Sequence, residues 1–283
     1  MKDIQLVLID KLPSTSTTTF QKAKTNPLSY IMFTSGSTGK PKVIIFNLRE
    51  NKTNGYKQGV MVTHKNVVNA FNSFTSRIPL STSSKLLAVT PTTFDISILE
   101  LFWPLTCGST TIIATEQDTI DPHSLSRLIQ HHNITHMQAT PATWTMMLDS
   151  NWTGNKTLTV LCGGDKMSKS LAQKLLPLCK DLYNMYGPTE TTIWSAVQHV
   201  TSDSHVTIGE PLLNTQIYVL DAYLNEVPLG CSGEIVIGGD GVTMGYLNDA
   251  TKTNEKFLEN SQFPSRVYKT GDIGKRLPNG QIM

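Results

Sequence analysis

The stretch that most constrains this chain is TSGSTGKPK, residues 34–42, which follows directly on the apolar run Tyr30-Ile31-Met32-Phe33. The run reads as a buried strand. A strand that ends in a loop of glycine, hydroxyl and lysine residues is suited to holding phosphate. Gly36 and Gly39 let backbone N–H groups come close to an anion. Thr34, Ser35, Ser37 and Thr38 donate hydrogen bonds, and Lys40 and Lys42 neutralise charge. This is not the Walker loop, whose glycines lie further apart and whose lysine precedes a hydroxyl residue; here Pro41 follows Lys40. Taken alone, the loop has a competing reading as a solvated polar turn.

Beyond the loop, strand and helix signals alternate. Short apolar runs at 59–62, 86–89, 110–114, 135–139 and 158–161 read as strands, as does 4–9 ahead of a Ser/Thr-rich linker at 13–19. Thr63 is placed to cap a helix carrying Val67, Val68, Phe71 and Phe74 at helical spacing. Asp121-Pro122 opens a second helix with Leu125, Leu128 and Ile129 on its buried face. Further helices are expected over 141–148 and from Ser168 to Leu176. The alternation predicts an α/β fold, a mostly parallel sheet with flanking helices. From about Thr207 the texture changes to strands at 217–220 and 234–237 between Gly/Pro turns, which predicts a smaller β-rich subdomain. The expected division is residues 1–27, the end of an upstream region with its linker; 28–205, an α/β core interrupted at 43–58; and 206–283, the β-rich part.

Composition removes several function classes. A net charge of +2 over 283 residues offers no basic field for nucleic acid. No apolar run approaches a membrane span, and the N-terminus carries no signal-peptide pattern. Cys107, Cys162, Cys179 and Cys231 form no CxxC pair, which fits a reducing cytoplasm. His131 and His132 are neighbours at a helix end and read as exposed rather than metal-binding.

As a set, the motifs say more. TSGSTGKPK resembles the signature loop of the adenylate-forming enzymes, which include acyl-CoA synthetases, luciferases and the adenylation domains of non-ribosomal peptide synthetases. FDIS (94–97), NMYGPTE (184–190), GEIVIGGDGVTMGYL (233–247) and YKTGD (268–272) follow in that family's order. NMYGPTE and the aspartate of FDIS are most similar to the peptide-synthetase branch. The resemblance implies that Thr34, Ser35, Gly36, Ser37, Thr38, Gly39, Lys40 and Lys42 clasp the phosphates of ATP, with Thr189 at the α-phosphate. It implies that Tyr186 stacks on adenine and that Asn184, with Gly163 and Gly164, meets the nucleoside. Asp272 would accept the ribose hydroxyls, and Glu190 would hold Mg²⁺.

It further implies that Asp95 pairs with the α-ammonium group of an amino acid, in a pocket completed by Ile96, Leu99, Ala139, Val160, Cys162, Met185, Ile193 and Trp194. That set is apolar with no second charge, so a charged side chain would be poorly held; its Asp-Ile-Leu start and Ile-Trp end resemble glycine-selecting pockets, which implies glycine or another small neutral amino acid as the substrate. The acceptor would be phosphopantetheine on a peptidyl carrier domain. An acyl- or aryl-CoA ligase is the alternative, as is a non-catalytic nucleotide-binding remnant; Asp95 argues against the ligase, since an acid without an amine needs no anion there.

Three departures from the family pattern accompany the resemblance. Residues 43–58, VIIFNLRENKTNGYKQ, separate Lys42 from Gly59 where the family runs on without a break; their removal restores KPKGVMVTHKNV, and a retained in-frame intron explains them. The family's C-terminal lid and its lysine are expected beyond Met283, so no catalytic residue is assigned and the chain is expected to be an inactive internal fragment. The first part of the family's N-terminal domain is also expected to lie outside this sequence.

Overall fold

The computed structural model describes residues 27–34 and 58–283. The expected strand at 4–9 and all but the first residue of the loop at 34–42 lie outside the described residues. β1 (Leu28–Thr34) and β2 (Gln58–Thr63) pair antiparallel as a two-stranded sheet, with Thr34 opposite Gln58 and Phe33 opposite Gly59. β1 is only half-buried, with Met32 its one fully buried residue, because it belongs to a ribbon against the flank of the molecule and not to the main sheet. Gln58, the last residue of the expected insertion, is part of β2.

Thr63 ends the ribbon and starts α1 (His64–Arg77). Its hydroxyl accepts the Asn66 N–H, and the Asn66 side chain accepts the Thr63 N–H, a reciprocal cap worth about 1 kcal/mol. Then come β3 (Lys85–Ala88), α2 (Ile96–Thr106), β4 (Thr110–Ile113), the short α3 (Glu116–Ile120) and α4 (Pro122–His131). β5 (His136–Ala139), α5 (Pro141–Asp149), β6 (Thr159–Gly163), α6 (Lys169–Leu175) and β7 (Asp181–Tyr186) continue the alternation. Asp121, Thr140 and Ser168 cap α4, α5 and α6 through side-chain oxygens, satisfying N–H groups that the first helical turn leaves unpaired.

The strands order as β4-β3-β5-β6-β7, all parallel. Two antiparallel strands, β8 (Ala196–Val200) and β9 (Glu210–Pro211), extend that sheet to seven. β9 thus joins the main sheet although it lies past the expected boundary at 206. A second sheet holds β10 (Thr215–Leu220) and β11 (Ser232–Gly239). After α7 (Ala250–Lys256), β12 (Phe257–Leu258) and β13 (Val267–Lys275) complete it in the order β10-β11-β13-β12.

Alternation along each parallel strand divides the core in two. Leu87, Met137, Ala139, Val160, Cys162 and Leu182 pack with Leu125, Trp144 and Leu171 of α4–α6 on one face. Leu86, Ala88, Leu161, Tyr183 and Met185 pack with Phe71, Phe74, Leu99 and Trp103 of α1 and α2 on the other. Each buried large side chain stabilises by about 1.5–3 kcal/mol. The assignment of faces matters more than the total, because it decides which residues can meet at the strand ends.

Candidate functional site

The C-terminal ends of β6 and β7 open into a cavity of about 520 Å³, the usual place for a ligand on a parallel sheet. Gly164, Asn184, Tyr186, Trp194, Ile208 and Asp272 are among its walls. Asn184 is buried at the end of β7, and its Nδ2 donates to the Thr207 carbonyl at 2.7 Å. That bond fixes the amide with its carbonyl oxygen as the acceptor end. The Tyr186 hydroxyl donates to Asp272 Oδ2 at 2.6 Å; burial first, then the Asp272 carboxylate, pushes the phenol far above its ordinary value. Asp272 follows Gly271, whose φ of +84° is open to glycine at little cost. The pair is therefore not a hairpin turn but part of β13, beside an irregularity in its pairing with β11.

Asp95 occupies the N-cap position of α2 without capping it. It is 6% exposed, and its Oδ2 has no hydrogen-bond partner among the described residues. Burial pushes the carboxyl up to about 6; the Thr189 hydroxyl and the N–H groups of Ile96 and Ile193 pull the other way, while Glu190 adds a smaller upward push. A buried carboxylate oxygen left open is costly, and it is the kind of site a ligand's cation completes. Glu190, in a short 3-10 helix Thr189–Thr191, accepts the Tyr246 hydroxyl at 2.8 Å and is likewise buried.

Immediately after that helix, Thr192 and Ile193 both take positive φ, 67° and 68°. For a β-branched residue this is strained backbone. It delivers Trp194 into the space over Gly163, where an added Cβ would lie 2.5 Å from Trp194 Cη2. Trp194 Nε1 donates to Gln138 Oε1 at 2.9 Å.

The expected pocket divides along the two faces of the sheet. Leu99, Met185, Ile193 and Trp194 belong to one buried cluster, with Ile96 packed against it, on the side of Asp95. Ala139, Val160 and Cys162 do not join them; they face α4–α6 in the opposite core, where burial pushes the Cys162 thiol up to about 12. The reason is the period of two in a strand: a one-residue slip in assignment exchanges the faces. The residues that β5 and β6 present on the Asp95 side are Gln138, Leu161 and Gly163. Alternation counted from Leu86 and Ala88 was the sequence signal that could have found them.

Of the phosphate loop, only Thr34 is described, as the last residue of β1; Ser35, Gly36, Ser37, Thr38, Gly39, Lys40 and Lys42 lie outside the described residues. Among those described, no cluster of three His, Cys, Asp or Glu could hold a metal, and His131 and His132 stack edge to face at 4.6 Å. No helix among the described residues is long and apolar enough to cross a membrane.

The family model for AMP-binding enzymes matches residues 5–247, and the chain belongs to that family. Within it, the chain is 39% identical over 247 residues to the PKS-NRPS hybrid synthetase acdB of Aspergillus candidus, covering 87% of this chain and 9% of that protein. It is 38% identical over 258 residues to a dimodular nonribosomal peptide synthase of Bacillus subtilis strain 168, covering 90% of this chain and 10% of that one. The crystal structure of a four-domain nonribosomal peptide synthetase bound to AMP and glycine superposes with a TM-score of 0.81 at 37% identity, over 91% of this chain and 18% of that one. The chain thus spans about a tenth of the curated relatives it matches, which are a nonribosomal peptide synthase and a PKS-NRPS hybrid synthetase.

Proposed function

We propose that this site activates a small neutral amino acid, glycine foremost, by joining its carboxylate to the α-phosphate of ATP. The observation that carries the reading is Asp95, whose buried carboxylate keeps one oxygen open on the side of the apolar cluster that holds Leu99, Met185, Ile193 and Trp194. A substrate α-ammonium satisfies that oxygen, and the hydrogen bond between ionised groups is strong where water is excluded. A fatty or aryl acid brings no donor and would leave the oxygen stranded, which disfavours a CoA ligase.

The substrate carboxylate oxygen attacks the α-phosphorus and forms the new P–O bond. The bond from that phosphorus to the β-phosphate bridging oxygen breaks, leaving aminoacyl-AMP and pyrophosphate. Tyr186 provides the face for adenine, and Asn184, Gly163 and Gly164 border it. Asp272 accepts from the ribose. The loop Thr34 to Lys42 and Thr189 would hold the phosphates. Glu190 suits Mg²⁺: it is a buried carboxylate with no cationic partner among the described residues, and this ion binds one or two carboxylates together with substrate phosphates. When bound, the ion supplies charge neutralisation on phosphate oxygens. The aminoacyl group would then pass to phosphopantetheine on a carrier domain. The proposed cellular setting is the cytoplasm.

Two further observations favour a small substrate. Trp194 fills the floor over Gly163, and a solved relative of the same fold holds glycine with AMP. Calorimetric titration of the full chain with AMP, then with glycine, alanine and larger amino acids in the presence of AMP, tests the reading. AMP binding with no amino acid bound refutes it in favour of a nucleotide-binding remnant. Selective binding of a carboxylic acid lacking an amine refutes it in favour of a ligase.

A further inference from the structure

Glu100 is fully buried on α2, and no lysine, arginine or histidine pairs with it among the described residues. Carboxylates without a counter-ion are expensive in an apolar core, so this one needs compensation. Four donors supply it. Oε2 accepts the N–H groups of Val89 and Thr90 at 2.8 and 2.9 Å. Oε1 accepts the Thr90 hydroxyl at 2.6 Å and Gln138 Nε2 at 3.2 Å. Burial still pushes the carboxyl up to about 7 against those donors.

The bond to Gln138 has a directional consequence. An ionised carboxylate only accepts, so the amide must present its NH₂ to Glu100. Its oxygen is then turned the other way, where Trp194 Nε1 donates to it. With the amide reversed, N–H would face N–H at Trp194 and oxygen would face oxygen at Glu100. One carboxylate thereby fixes the orientation of Gln138 and, through it, the edge of the indole. The same carboxylate ties the end of β3 to the helix that begins at Asp95.

We propose that Glu100 is a positioning residue for the amino-acid side of the pocket, holding the Trp194 indole through Gln138 while clamping the turn that leads to Asp95. The proposal rests on the amino-acid-activating reading above. Glu100 touches neither nucleotide nor amino acid; it acts through Gln138 and through the placement of α2. The nucleotide walls, Tyr186, Asn184 and Asp272, share no hydrogen bond with this group. Its loss should therefore separate the two ligands.

The test uses the full chain with Glu100→Gln, Gln138→Leu and the exchanged pair Glu100→Gln with Gln138→Glu. The probes are AMP alone and glycine in the presence of AMP, by calorimetry, with thermal unfolding alongside. Both single variants are expected to weaken glycine binding about tenfold to a hundredfold and to leave AMP affinity within about threefold. The exchanged pair is expected to recover most of the loss. In it the amide oxygen now on α2 can still accept the Val89 and Thr90 N–H groups. The NH₂ of that amide donates to the carboxylate now on β5, which in turn accepts from Trp194. If Glu100→Gln does not fold, Gln138→Leu decides, since it leaves three of the four donors to Glu100 in place. Unchanged glycine affinity in the folded variants overturns the proposal. Equal loss of AMP and glycine without recovery in the exchanged pair makes Glu100 a plain structural support and also overturns it. If the unaltered protein binds AMP but no small amino acid, the underlying reading fails and the proposal falls with it.

Discussion

Asp95→Asn should make the protein more stable and less able to hold its substrate. The wild-type carboxyl moves from an ordinary 3.8 to about 6 because it is buried. A gap of that size corresponds to about 3 kcal/mol. For an acid whose folded value is raised, the folded state holds the proton more tightly than the unfolded one. The associated stability is therefore present below about pH 4, is lost as pH rises toward 6, and stays lost above it. Asparagine has nearly the same shape and no charge to desolvate, so it escapes that loss. Its NH₂ group must find acceptors, which takes back part of the gain. The expected net gain is about 1–3 kcal/mol at pH 8 and about 2 kcal/mol less at pH 4.5, where the unfolded carboxyl is already largely ionised. Urea denaturation at the two pH values measures it. Glycine affinity in the presence of AMP should fall about tenfold to a hundredfold. A variant equally stabilised at both pH values would refute the burial argument. Glycine bound as tightly as before would refute the ammonium contact.

Trp194→Ala should cost about 3–5 kcal/mol of stability and move amino-acid preference toward bulkier side chains; an unchanged rank order across a panel of amino acids would show that the indole is not the floor. Gly163→Ala places a Cβ 2.5 Å from Trp194 Cη2 and 2.9 Å from the Met185 carbonyl, and overpacking of this kind should cost about 1–3 kcal/mol in chemical denaturation. Tyr186→Phe removes the bond to Asp272 but keeps the ring, so AMP affinity should fall less than about tenfold by calorimetry, and less than in Tyr186→Ala; equal effects would place the contribution in the hydroxyl. If residues 43–58 derive from a retained intron, sequenced transcripts will join the codons of Lys42 and Gly59, and a mature message or peptide containing NLRENK would refute that origin.

What could be read from the residues was what rests on local signals. Thr63, Asp121 and Ser168 each precede an apolar periodic run, and each caps a helix. The parallel sheet follows from strands spaced by helix-length segments, a pattern that survives small errors in boundary. The pocket wall does not survive them, because a one-residue error on β5 and β6 sends Ala139, Val160 and Cys162 to the wrong core. The antiparallel return through β8 and β9 was also missed, since AVQHV carries no turn signal that separates it from a loop edge. Glu100 had a signal that went unused: it is the one charged residue in the run from 96 to 114. A lone acid in such a run must be either exposed or met by several donors. Sequence alone could not say which, because the donors come from β3 and β5.

The β1–β2 ribbon bears on how the chain is made. Its outer partners are supplied late: Met61 N–H donates to the Gly245 carbonyl, Met244 N–H to the Met61 carbonyl and Leu247 N–H to the Gly59 carbonyl. Asn66 of α1 reaches the carbonyls of Asp240 and Val242. Nearly the whole main sheet lies in sequence between these partners. At about 5–20 residues per second of synthesis, the ribbon waits on the order of 10–40 seconds for the segment that closes it. During that interval β2 has an unpaired edge beside the turn into α1, open to any other extended chain nearby. The first-made ribbon of the described residues is thus among the last elements to be closed, once Leu247 has left the ribosome.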